Sequence, residues 1–155
     1  MFFSLFRSGK TVIEGSVVDL RIEYEKQADR WNDNVPSVIF GIYRHRGNVK
    51  IGETDLRLGM NEKLYYAGNI GYRIYEQHRG HGYAYEAAKL LMKTAYERYG
   101  MDEIIMTCSP ENVASRKTIE KLGGELVETV DVPRSHWLYK RGETVKNIYR
   151  FPLSE

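Results

Sequence analysis

The chain has one cysteine, Cys108, among its 155 residues. A single thiol allows no intrachain disulfide and no thiolate metal cluster, so burial must hold the fold, and a reducing compartment suits it. Long apolar runs are absent too. No stretch approaches the roughly 20 residues that a bilayer helix needs, and the mean hydropathy of −0.52 is that of a water-exposed globular chain. An excess of one charge sign is also missing: 23 basic against 21 acidic residues leave +2, too little to demand nucleic acid as a partner. The histidines, His45, His78, His81 and His136, make no His-Glu-x-x-His arrangement, so no metal site is expected. The opening Met1-Phe-Phe-Ser-Leu-Phe-Arg7 lacks a basic leader and a long apolar segment, and does not read as a secretory signal. The expectation is a single cytoplasmic domain over residues 1–155, with neither membrane nor nucleic acid as partner.

What the first half does carry is the two-residue period of strands. Val17, Val18, Leu20 and Ile22 form one segment, Val38, Phe40 and Ile42 alternate in a second, and Val49 and Ile51 open a third running toward Leu58. Turn formers separate them, which predicts an antiparallel meander. A fourth strand is predicted from Tyr65 to Tyr75, with Ile70, Tyr72 and Ile74 on one face. Beyond Gly82 the period lengthens to about 3.6, because Ala84, Ala88, Leu91 and Ala95 form a helical stripe that Gly100 is placed to end. Ile104 to Cys108 then reads as a strand, and Asn112 to Leu122 as a second helix stopped by Gly123-Gly124. Strand, helix, strand implies a crossover with a parallel pair. Leu126 to Val132 and Ile148 to Phe151 close the chain as a hairpin. The fold class is α/β in the α+β sense, a mixed, largely antiparallel sheet with a central βαβ unit.

The segment richest in chemistry is Gln77-His-Arg-Gly-His-Gly82, which leaves a strand and enters a helix. Glycines let the backbone come close to a ligand, and the first turn of a helix offers unpaired N–H donors and a partial positive charge that favour phosphate oxygens. Arg79 adds a full positive charge. A tight strand-to-helix turn that binds nothing explains Gly80 and Gly82 equally well. The dinucleotide fingerprint fails at Tyr85, where it needs glycine, and the Gly-Lys-Ser/Thr of a P-loop is absent.

Gln77-x-x-Gly80-x-Gly82 after a strand, an alanine-rich helix, and then Asn112-Val-Ala-Ser115-Arg-Lys-Thr-Ile-Glu-Lys-Leu-Gly123 resemble the GNAT family of N-acetyltransferases. The second run looks in particular like the branch that acetylates ribosomal-protein N-termini. The resemblance extends over roughly Gly68 to Val127. It implies an acyl-CoA N-acyltransferase fold whose fourth and fifth strands splay apart, with acetyl-CoA as cosubstrate, a primary amine as acceptor, and no metal. The family's diphosphate-binding loop maps to Gln77, Arg79, Gly80, His81, Gly82 and Tyr83. Tyr72 and Ile74 fall beside the pantetheine arm, which pairs with the open strand edge as an added strand would. The asparagine that bonds the arm maps to Asn112, a residue that is also a good helix N-cap in its own right.

The resemblance further implies direct attack by a neutral amine, with no covalent enzyme intermediate. Many family members carry an acid tyrosine where this chain has Ile119, so Ser115 is the candidate acid, and Glu53 the candidate that relays a proton through water. Strand carboxylates found in the family are matched by Asn69 and Thr107. The two helices that usually wall the acceptor site are replaced by the short connection from Lys26 to Val35, which leaves an open groove or one completed by a second subunit in a homodimer. Tyr65, Tyr66, Trp137 and Tyr139 either line a cleft or pack as core. The alternative from another class is a non-catalytic acyl-CoA-binding or sensing domain.

Overall fold

The computed structural model describes residues 11–154. The opening apolar segment, read above as no secretory signal, lies outside them. The elements are β1 (Val12–Glu14), β2 (Val18–Lys26), β3 (Ser37–Arg44), β4 (Lys50–Arg57), β5 (Ile70–Ile74), α1 (Tyr83–Glu97), β6 (Glu103–Cys108), α2 (Val113–Lys121), β7 (Glu125–Asp131), α3 (Trp137–Lys140) and β8 (Val145–Pro152). They form two sheets, one in the order β1-β2-β3-β4-β5 and the other in the order β6-β8-β7. The first is the expected meander with β1 added at its edge. The closing hairpin is the β7–β8 pair. Among the described residues, no helix is long and apolar enough to cross a membrane.

Alternation sorts the first sheet into two faces. Leu20, Phe40, Ile42, Leu56 and Ile70 point to one side and are buried there. Against them lies α1, whose Ala87, Ala88, Leu91 and Ala95 are fully covered. Small alanines let the helix axis come close to the sheet, and Leu91 fills the space between. Gly100 ends this helix in the left-handed conformation at φ +67°, and the Met101 amide reaches back to the Ala95 carbonyl. Met106 of β6 and Ile119 of α2 complete the core on that side.

Two expectations need correction. The strand expected from Tyr65 to Tyr75 is only Ile70–Ile74, because Leu64–Tyr66 is a 3-10 turn and Gly68 turns the chain at φ +81°. The parallel pair of the crossover does not form either, and every ladder among the described residues is antiparallel. β5 and β6 meet at one point. There the Asn69 amide donates to the Ile105 carbonyl at 2.7 Å, while the Ile105 amide donates to the Asn69 side-chain oxygen at 2.8 Å. A side chain thus occupies the slot of the next ladder bond. A Cβ on Gly68 would lie 2.7 Å from the Ile105 carbonyl oxygen, so glycine is what allows this contact. Beyond it the strands splay and a cleft opens.

Candidate active site

The cleft between the sheets has a volume of about 780 Å³, within the range of small-molecule sites. Its floor is β5, its ends are the segment His78–Gly82 and the turn carrying Trp137, and its far wall is α2. At the loop, Gly80 and Gly82 adopt φ +88° and +74°. A Cβ at either glycine would meet no atom within 4 Å, so both face open space. No side chain caps the start of α1. The first-turn amides of that helix therefore open on the cleft without an internal acceptor from a capping side chain. Donors in that arrangement favour an anion, and the turn is not crowded.

The register of β4 with β5 decides which backbone groups of β5 are free. Arg57 N donates to Asn69 O at 2.8 Å and Tyr75 N to Ile51 O at 2.9 Å, so in this register Gly71, Arg73 and Tyr75 spend their amides on β4. Ile70, Tyr72 and Ile74 alternate with them and present their backbone groups to the splayed edge. Arg79 Nε takes the Ile74 carbonyl there at 2.9 Å. Its guanidinium is thereby fixed where the strand edge ends and the glycine loop begins.

On the far wall, Asn112 caps α2 by accepting the Ser115 amide at 3.2 Å. Ser115 lines the cleft as its position on the helix predicts, and its hydroxyl lies 3.3 Å from the Tyr72 phenol. Burial raises the Tyr72 pKa above the usual phenol value, against smaller lowering contributions from hydrogen bonds to Ser115 and Thr118. Ile119, where the acid tyrosine of the resembling family would stand, is fully buried. Cys108 is buried as well, and burial raises its thiol pKa, so it stays protonated and inert.

The description of the Acetyltransferase (GNAT) domain matches residues 10–125. The chain belongs to the GNAT acetyltransferase family. An uncharacterized N-acetyltransferase of Bacillus subtilis, YjdG, is 36% identical over 70 residues, which are 45% of this chain and 41% of that protein. The matched part of this GNAT chain thus spans about two fifths of that relative. A putative ribosomal-protein-serine acetyltransferase from Vibrio cholerae shares the fold at a TM-score of 0.65 and 16% identity, covering 92% of this chain and 97% of its own. RimL, a ribosomal-protein alpha-N-acetyltransferase solved in complex with coenzyme A, does so at a TM-score of 0.66 and 14% identity, covering 92% and 98%.

Among the residues expected of a GNAT site, the structure brings Tyr72, Ile74, Arg79, Gly80, Gly82, Tyr83, Asn112 and Ser115 to the cleft. Gln77 and His81 are exposed outside its wall, the His81 ring lying 5.3 Å from that of Tyr83. Glu53 is not brought there. Its carboxylate takes Arg73 at 3.1 Å and Lys50 at 3.5 Å on the sheet face away from α1. Asn69 and Thr107 are committed to backbone groups, Asn69 to Arg57 O and Gly59 O, and Thr107 to Tyr66 O.

Of the two readings left open for Trp137, cleft or core, the structure places it on the cleft, on the α3 turn, and Arg57 joins it there without having been named from the sequence. The Trp137 indole N–H donates to the buried Asp33 carboxylate at 3.1 Å, which ties α3 to the short β2–β3 connection. His136 anchors the same turn through the Lys63 carbonyl at 2.7 Å. Beside the short β2–β3 connection, part of the cleft wall is therefore supplied by residues from the other end of the chain.

Proposed function

We propose that this GNAT chain is an N-acetyltransferase that moves the acetyl group of acetyl-CoA to a primary amine by direct attack. The observation that carries this reading is the pairing of an open, positive-φ glycine loop before an uncapped helix with an unpaired strand edge leading away from it. The first suits a diphosphate and the second an amide-bearing arm that adds to the sheet. Acetyl-CoA, when bound, supplies the activated thioester. Gly80, Gly82 and the α1 amides would hold the diphosphate, with Arg79 alongside. Tyr72 offers its edge amide and carbonyl and Ile74 its edge amide to the arm, and Asn112 sits at the start of α2 to meet it.

For the chemistry, the Tyr72 amide points to the open edge, where negative charge on a carbonyl oxygen would be met by a fixed donor. The hydroxyl pair of Tyr72 and Ser115 is the source of a proton for the departing thiolate, a role for which a phenol kept neutral by burial is suited. The buried, protonated Cys108 supports direct attack over an acyl-enzyme. A lone buried thiol also fits residence in the cytoplasm.

Calorimetric titration with acetyl-CoA, followed by thiol release over a panel of amines and peptides, tests the proposal. Binding together with acceptor-dependent release is expected. Binding without acceleration by any acceptor would favour an acyl-CoA sensor.

A further inference from the structure

A second cavity of about 230 Å³ lies on the sheet face opposite α1 and shares Arg57, Ala67 and Trp137 with the main cleft. The two spaces therefore meet at the gap where β5 leaves β6. At that junction stands Asp55, which the two-residue repeat of β4 places on the face of Glu53 but one strand pair nearer the gap. Asp55 lies opposite Gly71. A Cβ on Gly71 would be 2.7 Å from Asp55 Oδ1, so the carboxylate rests against the bare Cα, next to the residue whose amide faces the cleft.

Arg57 holds it there. Its Nε donates to Asp55 Oδ2 at 2.7 Å and its Nη1 to the Gly68 carbonyl at 3.0 Å. Its Nη2 lies 3.4 Å from Asp55 Oδ1 as well, so the fork spans both oxygens; a carboxylate has about four lone-pair sites, and Asp55, which lines the cavity, keeps sites beyond those two. The other carboxylate on the cavity wall, Asp33, is already engaged by the Trp137 indole and by Lys63 at 3.6 Å. Trp31 stands beside the cavity with 78% of its surface exposed.

We propose that Asp55 receives the ammonium group of the acceptor, which enters through this second cavity with Trp31 and Trp137 flanking its carbon skeleton. The inference rests on the acetyltransferase reading and assigns the acceptor side of the same site. An ammonium donates to the lone pairs of Asp55 that Arg57 leaves open, while the Trp31 and Trp137 rings, each with a guanidinium of this chain near it, Arg30 at 4.8 Å and Arg141 at 5.4 Å, flank the carbon skeleton. Delivered there, it must lose one proton to solvent through Asp55 or a water before its nitrogen can attack. The nitrogen then bonds to the acetyl carbon as the carbon–sulfur bond breaks. The sulfur keeps the electron pair and takes a second proton, and the third hydrogen remains on the new amide.

The test uses the full chain saturated with CoA and calorimetric titration of two ammonium probes, Ala-Gly-Gly-amide and Nα-acetyl-lysine-amide, each against its fully acetylated form. At least one ammonium probe is expected to bind about tenfold more tightly than its acetylated form, the value of one hydrogen bond to a charged group. Asp55→Asn is expected to erase that preference while leaving CoA affinity within about twofold, and Asp55→Glu to restore part of it. Which probe is preferred separates an N-terminal amine from a lysine as the source. A preference that survives Asp55→Asn, or no preference for either ammonium, overturns the proposal. Failure of the unaltered chain to bind CoA overturns the acetyltransferase reading instead.

Discussion

The Tyr72 phenol lies 3.3 Å from the Ser115 hydroxyl, so that β5 and α2 meet through two hydroxyls at the cleft. Two hydroxyls that share one proton path act as a unit. Tyr72→Phe is expected to lower kcat by about a hundredfold, the lower end of general-acid effects, and Ser115→Ala by less. The double variant should be little slower than Tyr72→Phe alone, because groups acting together are not additive. Acetyl-CoA affinity should change little in all three variants. Steady-state kinetics with calorimetry checks this, and a double variant whose losses multiply would refute a shared path.

The glycine loop separates strain from charge cleanly. Gly82 sits at φ +74° with open space around it. Asn and Asp both tolerate this left-handed region better than other side chains, so the two substitutions distort the loop alike and differ in charge. Gly82→Asp places a carboxylate against the diphosphate and should abolish measurable acetyl-CoA binding. Gly82→Asn should retain binding at reduced strength. Calorimetric isotherms that match for the two variants would remove the diphosphate from this loop.

How much of this was legible in the sequence depends on whether local periodicity or long-range pairing decides a feature. Alternation in Val38, Phe40 and Ile42 and the stripe Ala88, Leu91, Ala95 are local, and β3 and α1 lie where they predict. Asn112 and Ser115 were placed correctly for the same reason, since the cap and the inward serine follow from helix geometry alone. The apolar and aromatic residues of Tyr65 to Tyr75 also read as one strand, but the contact of Gly68 with Ile105, far away in sequence, ends that strand early. Whether Trp137 lines a cleft or packs as core stays open in the sequence because its position is set by Asp33, far away in the chain. Glu53 was singled out over Asp55 although both share a face, and only the register with Gly71 distinguishes them.

The same contact makes Gly68 the position where a methyl group should be most damaging. It combines φ +81° with a backbone oxygen 2.7 Å from the added Cβ, whereas Gly80 has φ +88° and nothing within 4 Å. Gly80→Ala bears conformational strain alone, about 1–2 kcal/mol. Gly68→Ala must in addition push β5 away from β6 and loosen the paired bonds of Asn69 with Ile105. The expected order in denaturant unfolding is a clearly lower midpoint for Gly68→Ala than for Gly80→Ala. Equal midpoints would show that the junction yields without resistance.

At the opposite end of the sheet, Asp19 is buried and accepts from the Gly15 amide at 3.1 Å, the Arg46 amide at 2.8 Å and the His45 ring at 2.8 Å. Burial alone would raise its pKa, yet these hydrogen bonds outweigh it and the net shift is downward. With Glu14 nearby, the donor atoms of Asp19 and His45 lie within 4.8 Å of one another, but both Asp19 oxygens already serve the chain itself. A carboxylate whose folded pKa is depressed stabilises the fold above its unfolded value of about 3.9, and that contribution is lost as the pH falls through the lower folded value. The stability difference between the unaltered chain and Asp19→Asn should therefore hold near pH 5 and shrink steadily on acidification below about pH 4. Urea unfolding at a series of acidic pH values measures it. A difference that stays constant across that range would mean that the Asp19 charge contributes nothing to holding β2 to the turn at Arg46.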